Sequence, residues 1–193
     1  MPKVEVFDKE LVLEQAARVF HDKGYNATSM QDLVDATGLN RSSIYNSFES
    51  KLNLFMACLK SYQSKYGDKI TKELQQAENA LNAIERLFGF YLNEIVNDGE
   101  DKGCLLVNAT SEMANQEACV TGFLVNNREW FVGLLEGLVE KGQQEGSINK
   151  DRSPEAYALY LFSSLQGFRT TGILLSNKSD LQNIIDITLQ III

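Results

Sequence analysis

Arg41, Ser42, Ser43, Tyr45, Asn46 and Ser47 crowd into one short stretch of the sequence. Together they offer a guanidinium, four hydroxyls and an amide, with no carboxylate among them. Arginine pairs bidentately with guanine edges, and hydroxyls and amides reach bases or phosphates. Ile44 and Phe48 fall four residues apart in the same stretch, so a helix here buries a narrow stripe and leaves the polar side chains open. Such a face is suited to a DNA major groove. Other chemistry is thinly supplied. The three cysteines, Cys58, Cys104 and Cys119, are odd in number and widely spaced, and no Cys-x-x-Cys pair exists, so neither a disulfide framework nor a zinc site is expected. A four-helix di-iron centre needs two Glu-x-x-His motifs, and His21 is the single histidine. No nucleophile–base pair or phosphate loop is recognisable. The expectation is therefore a protein without metal or cofactor and without enzymatic activity. A helical enzyme with an apolar pocket, or a helical module that binds protein, stays as the alternative.

Something must hold that polar face in place. Met30, Leu33, Val34 and Thr37 recur at i, i+3, i+4, i+7, the period of one buried helical face. Thr28 or Ser29 can cap this helix, with Gln31 or Asp32 completing a capping box. Gly38 supplies the positive φ that ends it, Leu39 is apolar within the turn, and Asn40 caps the next helix. Helix, short glycine turn, second helix is the helix-turn-helix arrangement. The same spacing also fits two ordinary core helices joined by a glycine turn.

The wider stretch adds Phe20-His21-Asp22-Lys23-Gly24-Tyr25, Thr28, Gly38-Leu39-Asn40-Arg41-Ser42-Ser43-Ile44-Tyr45 and Phe48-Glu49-Ser50-Lys51. This resembles the DNA-binding head of the TetR/AcrR family of transcriptional regulators over about the first third of the chain. It departs at Val34, where the family usually has alanine, and at Leu52, where it usually has glutamate. The resemblance implies that Thr28, Tyr45 and Lys51 contact phosphates. It implies that Arg41, Ser42, Ser43 and Ser47 face base edges, with Asn46 beside them. It further implies a palindromic double-stranded operator, a homodimer, and recognition helices roughly 34–36 Å apart or a multiple of one turn.

The chain has 193 residues, 44% hydrophobic and 23% charged, an ordinary globular composition. Net charge is −8, which on its face disfavours a nucleic-acid partner. Its distribution matters more. Residues 1–60 hold 7 Lys and Arg against 8 Asp and Glu, whereas residues 61–193 hold 11 against 18. The head is nearly neutral and the body acidic, so the few positive groups of the head orient docking. No apolar run approaches a membrane span. Residues 1–7 lack the layout of a signal peptide, and a cytoplasmic protein is expected.

Apolar periodicity continues through the chain, without strand alternation. The expected fold class is all-α, about nine helices. A three-helix helix-turn-helix head (1–54) precedes an effector-binding and dimerisation body (55–193). Leu13, Ala16, Ala17 and Phe20 mark the first helix, stopped by Gly24, with His21 solvated at its end. Ser50 caps the fourth helix, with Leu52, Phe55, Met56 and Leu59 on its buried face and Tyr62 and Tyr66 reaching toward the body. Gly67 is expected to break it. A fifth helix runs to about Asn97-Asp98-Gly99, and a sixth from Cys104 to about Glu112. The seventh, after Asn115-Gln116, carries Val120, Phe123, Leu124, Asn127, Phe131, Leu134 and Leu138 on one face and is closed by Gly146. Ser153-Pro154 opens the eighth, running to about Leu175, and Asn177–Ser179 turns into the ninth.

Gly103-Cys104-Leu105-Leu106-Val107-Asn108 and Gln166-Gly167-Phe168-Arg169 also look like the body of TetR-type regulators. The resemblance implies a dimer interface of Phe162, Leu165, Phe168, Leu181, Ile184 and Ile185, although both helices also read as internal core. It implies a cavity for a small apolar or aromatic effector, lined by Phe88, Tyr91, Phe123, Trp130, Phe131 and Tyr157. Asn108, Gln116 and Asn127 are candidate polar anchors. Cys104 opens a helix, where the dipole favours a thiolate; it is either a redox sensor or a small buried filler. The function these features point to is a dimeric DNA-binding transcriptional regulator, a repressor released by its effector.

Overall fold

Nine α-helices make up the regular structure of the described residues: α1 (Lys9–Ala27), α2 (Met30–Thr37), α3 (Arg41–Phe48), α4 (Lys51–Leu74), α5 (Ala80–Asn97), α6 (Leu105–Met113), α7 (Ala118–Glu145), α8 (Pro154–Thr171) and α9 (Lys178–Gln190). The structure is a computed structural model and describes residues 7–97 and 103–193. The expected reading of the first six residues, and the Asp98-Gly99 end of the fifth helix, lie outside them.

Local chemistry sets the helix ends. Asp8 accepts from the backbone N–H groups of Glu10 and Leu11 and starts α1. Ser29 and Asp32 form the reciprocal capping box of α2. Ser50 Oγ accepts from Asn53 N–H at 3.0 Å and caps α4. Ser153 caps α8, and Asn177 accepts from two backbone N–H groups of α9. Gly24 breaks α1 at φ 76° and ψ 168°, and a further helical turn follows it. Gly67 behaves otherwise than expected: α4 runs through it to Leu74. An interior glycine weakens a helix by only about 1 kcal/mol, too little by itself to end a helix of 24 residues. His21 also differs, lying inside α1 with its ring edge-on to Tyr62 at 6.4 Å. Tyr62 in turn stacks on Tyr66 at 4.4 Å.

The chain forms two compact units. One comprises the described residues up to Tyr66 together with Cys104–Thr121. Its core is Leu13, Ala16, Phe20, Leu33, Ile44, Phe48, Leu54, Phe55, Cys58 and Leu59. Phe20 and Phe55 meet edge-to-face at 4.9 Å. The Cys58 thiol donates to the Leu13 carbonyl at 3.5 Å, and burial pushes its pKa up to about 12. Helix α6, distant in sequence, packs on α1 within this unit.

The other unit comprises the described parts of Gly67–Gly103 and Gly122–Ile193. Ile84, Leu87, Phe88, Leu92, Leu135, Val139, Leu161, Leu165, Phe168, Leu181 and Ile185 are buried there. On the part of α7 in this unit the buried residues are Leu124, Phe131, Leu135 and Val139, while Val120 is buried in the first unit; Leu134 and Leu138 are only half-buried. Helices α5, α8 and α9 pack on one another. At Gly172 a Cβ would stand 2.6 Å from Ile95 Cδ1, so the absent side chain lets the end of α8 approach α5. Among the described residues, no helix is long and apolar enough to cross a membrane.

Candidate nucleic-acid interface

Helix α3 is short and held at both ends. Asn40 Oδ1 accepts from Ser43 N–H at 2.9 Å. Ahead of it, Gly38 sits at φ 67° and donates its N–H to the Val34 carbonyl at 2.9 Å. Ile44 and Phe48 anchor α3 in the core. Arg41, Ser42, Tyr45, Asn46 and Ser47 are exposed, and Ser43 is half-buried. The fold thus brings these side chains onto one short helix with its polar face open. Glu49, just past the helix, has φ 66°, the one positive-φ non-glycine among the described residues. Nothing in the pattern of residue types signals that strain. Asn53 donates to the Glu49 carboxylate at 3.1 Å and steadies it.

The supporting helix α2 is tied to α1 through Lys23, whose ammonium donates to Asp32 at 2.6 Å. This bond, with those from the Ser29 N–H and hydroxyl, lowers the Asp32 pKa to about 2.

Two expected phosphate contacts stand differently from the sequence reading. Thr28 is only 2% exposed, and its hydroxyl donates inward to the Gly24 carbonyl at 2.6 Å. Its side chain is therefore a brace of the turn before α2, not a surface contact. Lys51 is half-buried and donates to the carbonyls of Tyr25 and Thr28, both at 2.9 Å. Its ammonium also lies 4.3 Å from the centroid of the Tyr25 ring. Tyr25 belongs to the motif, but its ring contact with Lys51 is a tertiary feature with no local sequence signal.

In the second unit, the expected effector lining divides into separate groups. Phe88 meets Phe168 at 6.2 Å, and the Arg169 guanidinium stands 4.3 Å from the centre of the Tyr91 ring. Phe131 meets Phe162 at 6.0 Å. Phe123 and Asn127 are half-buried. Trp130 is 49% exposed on α7, so it lines no interior space of the chain itself. Tyr157 is buried, but its hydroxyl donates to Asn149 Oδ1 at 2.6 Å and secures the α7–α8 connection. Gln116 belongs to the first unit, where it accepts from the Asn26 amide at 3.3 Å. A cleft of about 270 Å³ is lined instead by Glu85, Gly89, Gln182, Ile185, Asp186 and Leu189.

The expected dimer residues need a similar correction. Leu165, Phe168, Leu181 and Ile185 are buried inside the chain and have no surface to offer a second copy; Phe162 and Ile184 are half-buried. Their apolar character serves the chain's own core. The open side of α8 and α9 carries other residues: Leu159, Ile187 and Ile191 are exposed by 50%, 62% and 48%. Along α8 and just past it, Ser163, Gln166, Gly167, Thr170, Thr171 and Leu174 line an open groove. Cys104 is 1% exposed at the start of α6, which fits the filler reading and not a thiol open to oxidants; the exposed cysteine is Cys119. Among the described residues, no three His, Cys, Asp or Glu side chains converge to hold a metal ion.

Residues 12–58 match the family described as "Bacterial regulatory proteins, tetR family", and residues 80–187 match "Tetracyclin repressor-like, C-terminal domain". The HTH-type transcriptional regulator YezE of Bacillus subtilis (strain 168) is 26% identical over 194 residues, covering 100% of both chains. The HTH-type transcriptional repressor DhaR of Mycobacterium sp. (strain GP1) is 28% identical over 159 residues, 82% of this chain and 79% of DhaR. In fold, the chain is similar to a cysteine mutant of the TetR family transcriptional regulator CifR complexed with 26-bp operator DNA. The TM-score is 0.88 at 22% identity, covering 99% of this chain and 100% of CifR. Since the C-terminal match alone spans more than half of the chain and the N-terminal match takes in the whole helix-turn-helix, this chain belongs to the TetR family of DNA-binding transcriptional regulators, which are not enzymes.

Proposed function

We propose that this regulator is a homodimeric repressor that reads a palindromic operator through α3 and releases it when a small effector binds its body. The observation that carries the DNA reading is the open polar face of α3, with Arg41, Ser42, Tyr45, Asn46 and Ser47 exposed on a helix anchored by Ile44 and Phe48. Arg41, Ser42, Ser43 and Ser47 face base edges, with Asn46 beside them, and Tyr45 reaches phosphate. Lys51 spends two of its three ammonium donors on protein carbonyls. In this reading the half-buried ammonium, which also faces the Tyr25 ring, reaches a phosphate from the same place. Residues 1–54 form the reading head, and residues 55–193 carry effector response and dimerisation. CifR in complex with operator DNA and the repressor DhaR support this reading by family likeness.

The dimer face in this proposal is the open side of α8 and α9, with Leu159, Gly167, Leu174, Ile187 and Ile191. Exposed apolar side chains alongside glycine and small hydroxyls allow two helices to approach closely. The effector is small and apolar or aromatic and is taken up by the body, with Phe88, Tyr91, Phe123, Asn127 and Phe131 as the candidate contacts in their separate groups, and the protein works in the cytoplasm. Helix α4 carries the response, because it begins beside α3 and continues into the body. An effector shifts the equilibrium only by its difference in affinity for the two states. The test is sedimentation of the protein with a duplex selected from random sequence. The proposal expects an even number of copies per duplex, and an aromatic compound that changes body spectroscopy must also lower operator affinity. Monomers bound singly, or a compound that binds the body without altering DNA affinity, would count against dimer and effector roles respectively.

A further inference from the structure

The turn from Gly24 to Thr28 is gripped from two sides by charged side chains remote in sequence. Gly24 interrupts α1, so the amides just after it begin a new turn and need partners from outside the helix. Glu112 of α6 supplies them. Its Oε2 accepts from Tyr25 N–H and its Oε1 from Asn26 N–H, each at 2.8 Å. Charge-assisted pairs of this kind are stronger than neutral ones and fix geometry as well. Gly24 makes room for the contact: a Cβ there would come 2.8 Å from Glu112 Oε2. The Asn26 amide adds a bond to Gln116 Oε1, just past α6, at 3.3 Å.

From the other side comes α4. Lys51, its first residue, holds the carbonyls of Tyr25 and Thr28 and covers the Tyr25 ring. Thr28 braces the same turn through its bond to Gly24 and immediately precedes Ser29, the cap of α2. One residue, Tyr25, is therefore held at its N–H by α6 and at its carbonyl by α4. We infer that Glu112 is a positioning residue for DNA reading: by fixing the Tyr25–Thr28 backbone it sets where Lys51 and the α2–α3 pair stand. The inference rests on the proposed reading of DNA by α3, but its structural half can be tested without DNA. Loss of the clip is expected to reach Lys51 and α3; a mere local cap would affect only the two amides it covers.

The experiment uses the full chain as E112Q and E112A, with E112Q guarding against a folding defect because it keeps size and one acceptor oxygen. Amide hydrogen exchange is followed at Tyr25, Asn26 and residues 43–48, and Lys51 acylation by an acetyl ester reports whether its ammonium is held. The expected result is faster exchange at both regions and faster Lys51 acylation, graded E112A over E112Q. Affinity for a selected duplex should fall about 5- to 150-fold, the range of typical coupling between sites. Faster exchange confined to Tyr25 and Asn26, with Lys51 and α3 unchanged, would overturn the inference. Failure of the wild-type chain to bind any selected duplex would remove the DNA-reading role, while the Lys51 and α3 rates would still decide the clip.

Discussion

Arg41 is the only cation of α3, and it stands exposed. Replacing it with alanine should cost about 1–3 kcal/mol of operator binding and relax one position of each half-site. Thermal stability should not change, since Arg41 supports nothing in the core. Lys51→Ala belongs to another class. It should weaken binding to all sequences alike, lower the salt slope, and also lower Tm, because Tyr25 and Thr28 lose their shared donor. Equal losses across sequences from both variants would refute the division of roles. Asp32 gives a pH signature. Its carboxylate is held at about 2 in the fold against an ordinary 3.8. A depressed folded pKa adds stability above the unfolded value, and that stability is lost as pH falls through the folded one. The difference in urea stability between wild type and Lys23→Ala should thus be present at pH 5 and close as pH drops from about 4 toward 2. A difference that persisted at pH 2 would assign the effect to packing of Lys23 instead. Glu49 stores backbone strain at φ 66°, so Glu49→Gly should raise stability by up to about 1 kcal/mol in denaturant titrations.

At the scale of elements, what was legible in the sequence is what is written locally. The capping box of Ser29 and Asp32, the left-handed Gly38, the Asn40 cap and the Ser50 cap each depend on residues within a turn of one another, and the structure has all of them. Gly67 misled because helix propensity is a weak prior against tertiary packing. A Cβ at Gly67 meets open space, so Gly67→Ala should stabilise the protein by about 0.5–1 kcal/mol, read as a higher denaturant midpoint. The α8 and α9 pair misled for a different reason. Both helices carry apolar residues on more than one side, and periodicity names the apolar positions without saying which side meets the chain's own core. Burial now separates them. Ile185→Asp should destabilise the fold itself, because Ile185 is 3% exposed, whereas Leu159→Asp should leave a folded chain and give monomers by sedimentation. The reverse pattern would return the dimer face to the buried stripe. The docking of α6 on α1 had no sequence signal, since Glu112, Met113 and Gln116 meet Tyr25 and Asn26 from more than eighty positions away.

For the molecule as a whole, charge is distributed so that specificity must come from a few groups. The acidic body repels DNA, and the near-neutral head offers little non-specific attraction. Effector and operator must weaken each other by the same factor if both act on one equilibrium, which titration of either ligand in the presence of the other can check. The central claim, that α3 reads sequence, is tested most directly by repeated selection of random duplex DNA at low salt with wild type and Arg41→Ala side by side. The account predicts enrichment of an inverted repeat whose half-sites lie about one helical turn or a multiple apart, with Arg41→Ala losing preference at a single position in each half. No enrichment over the input pool, or the same motif from both proteins, would contradict it.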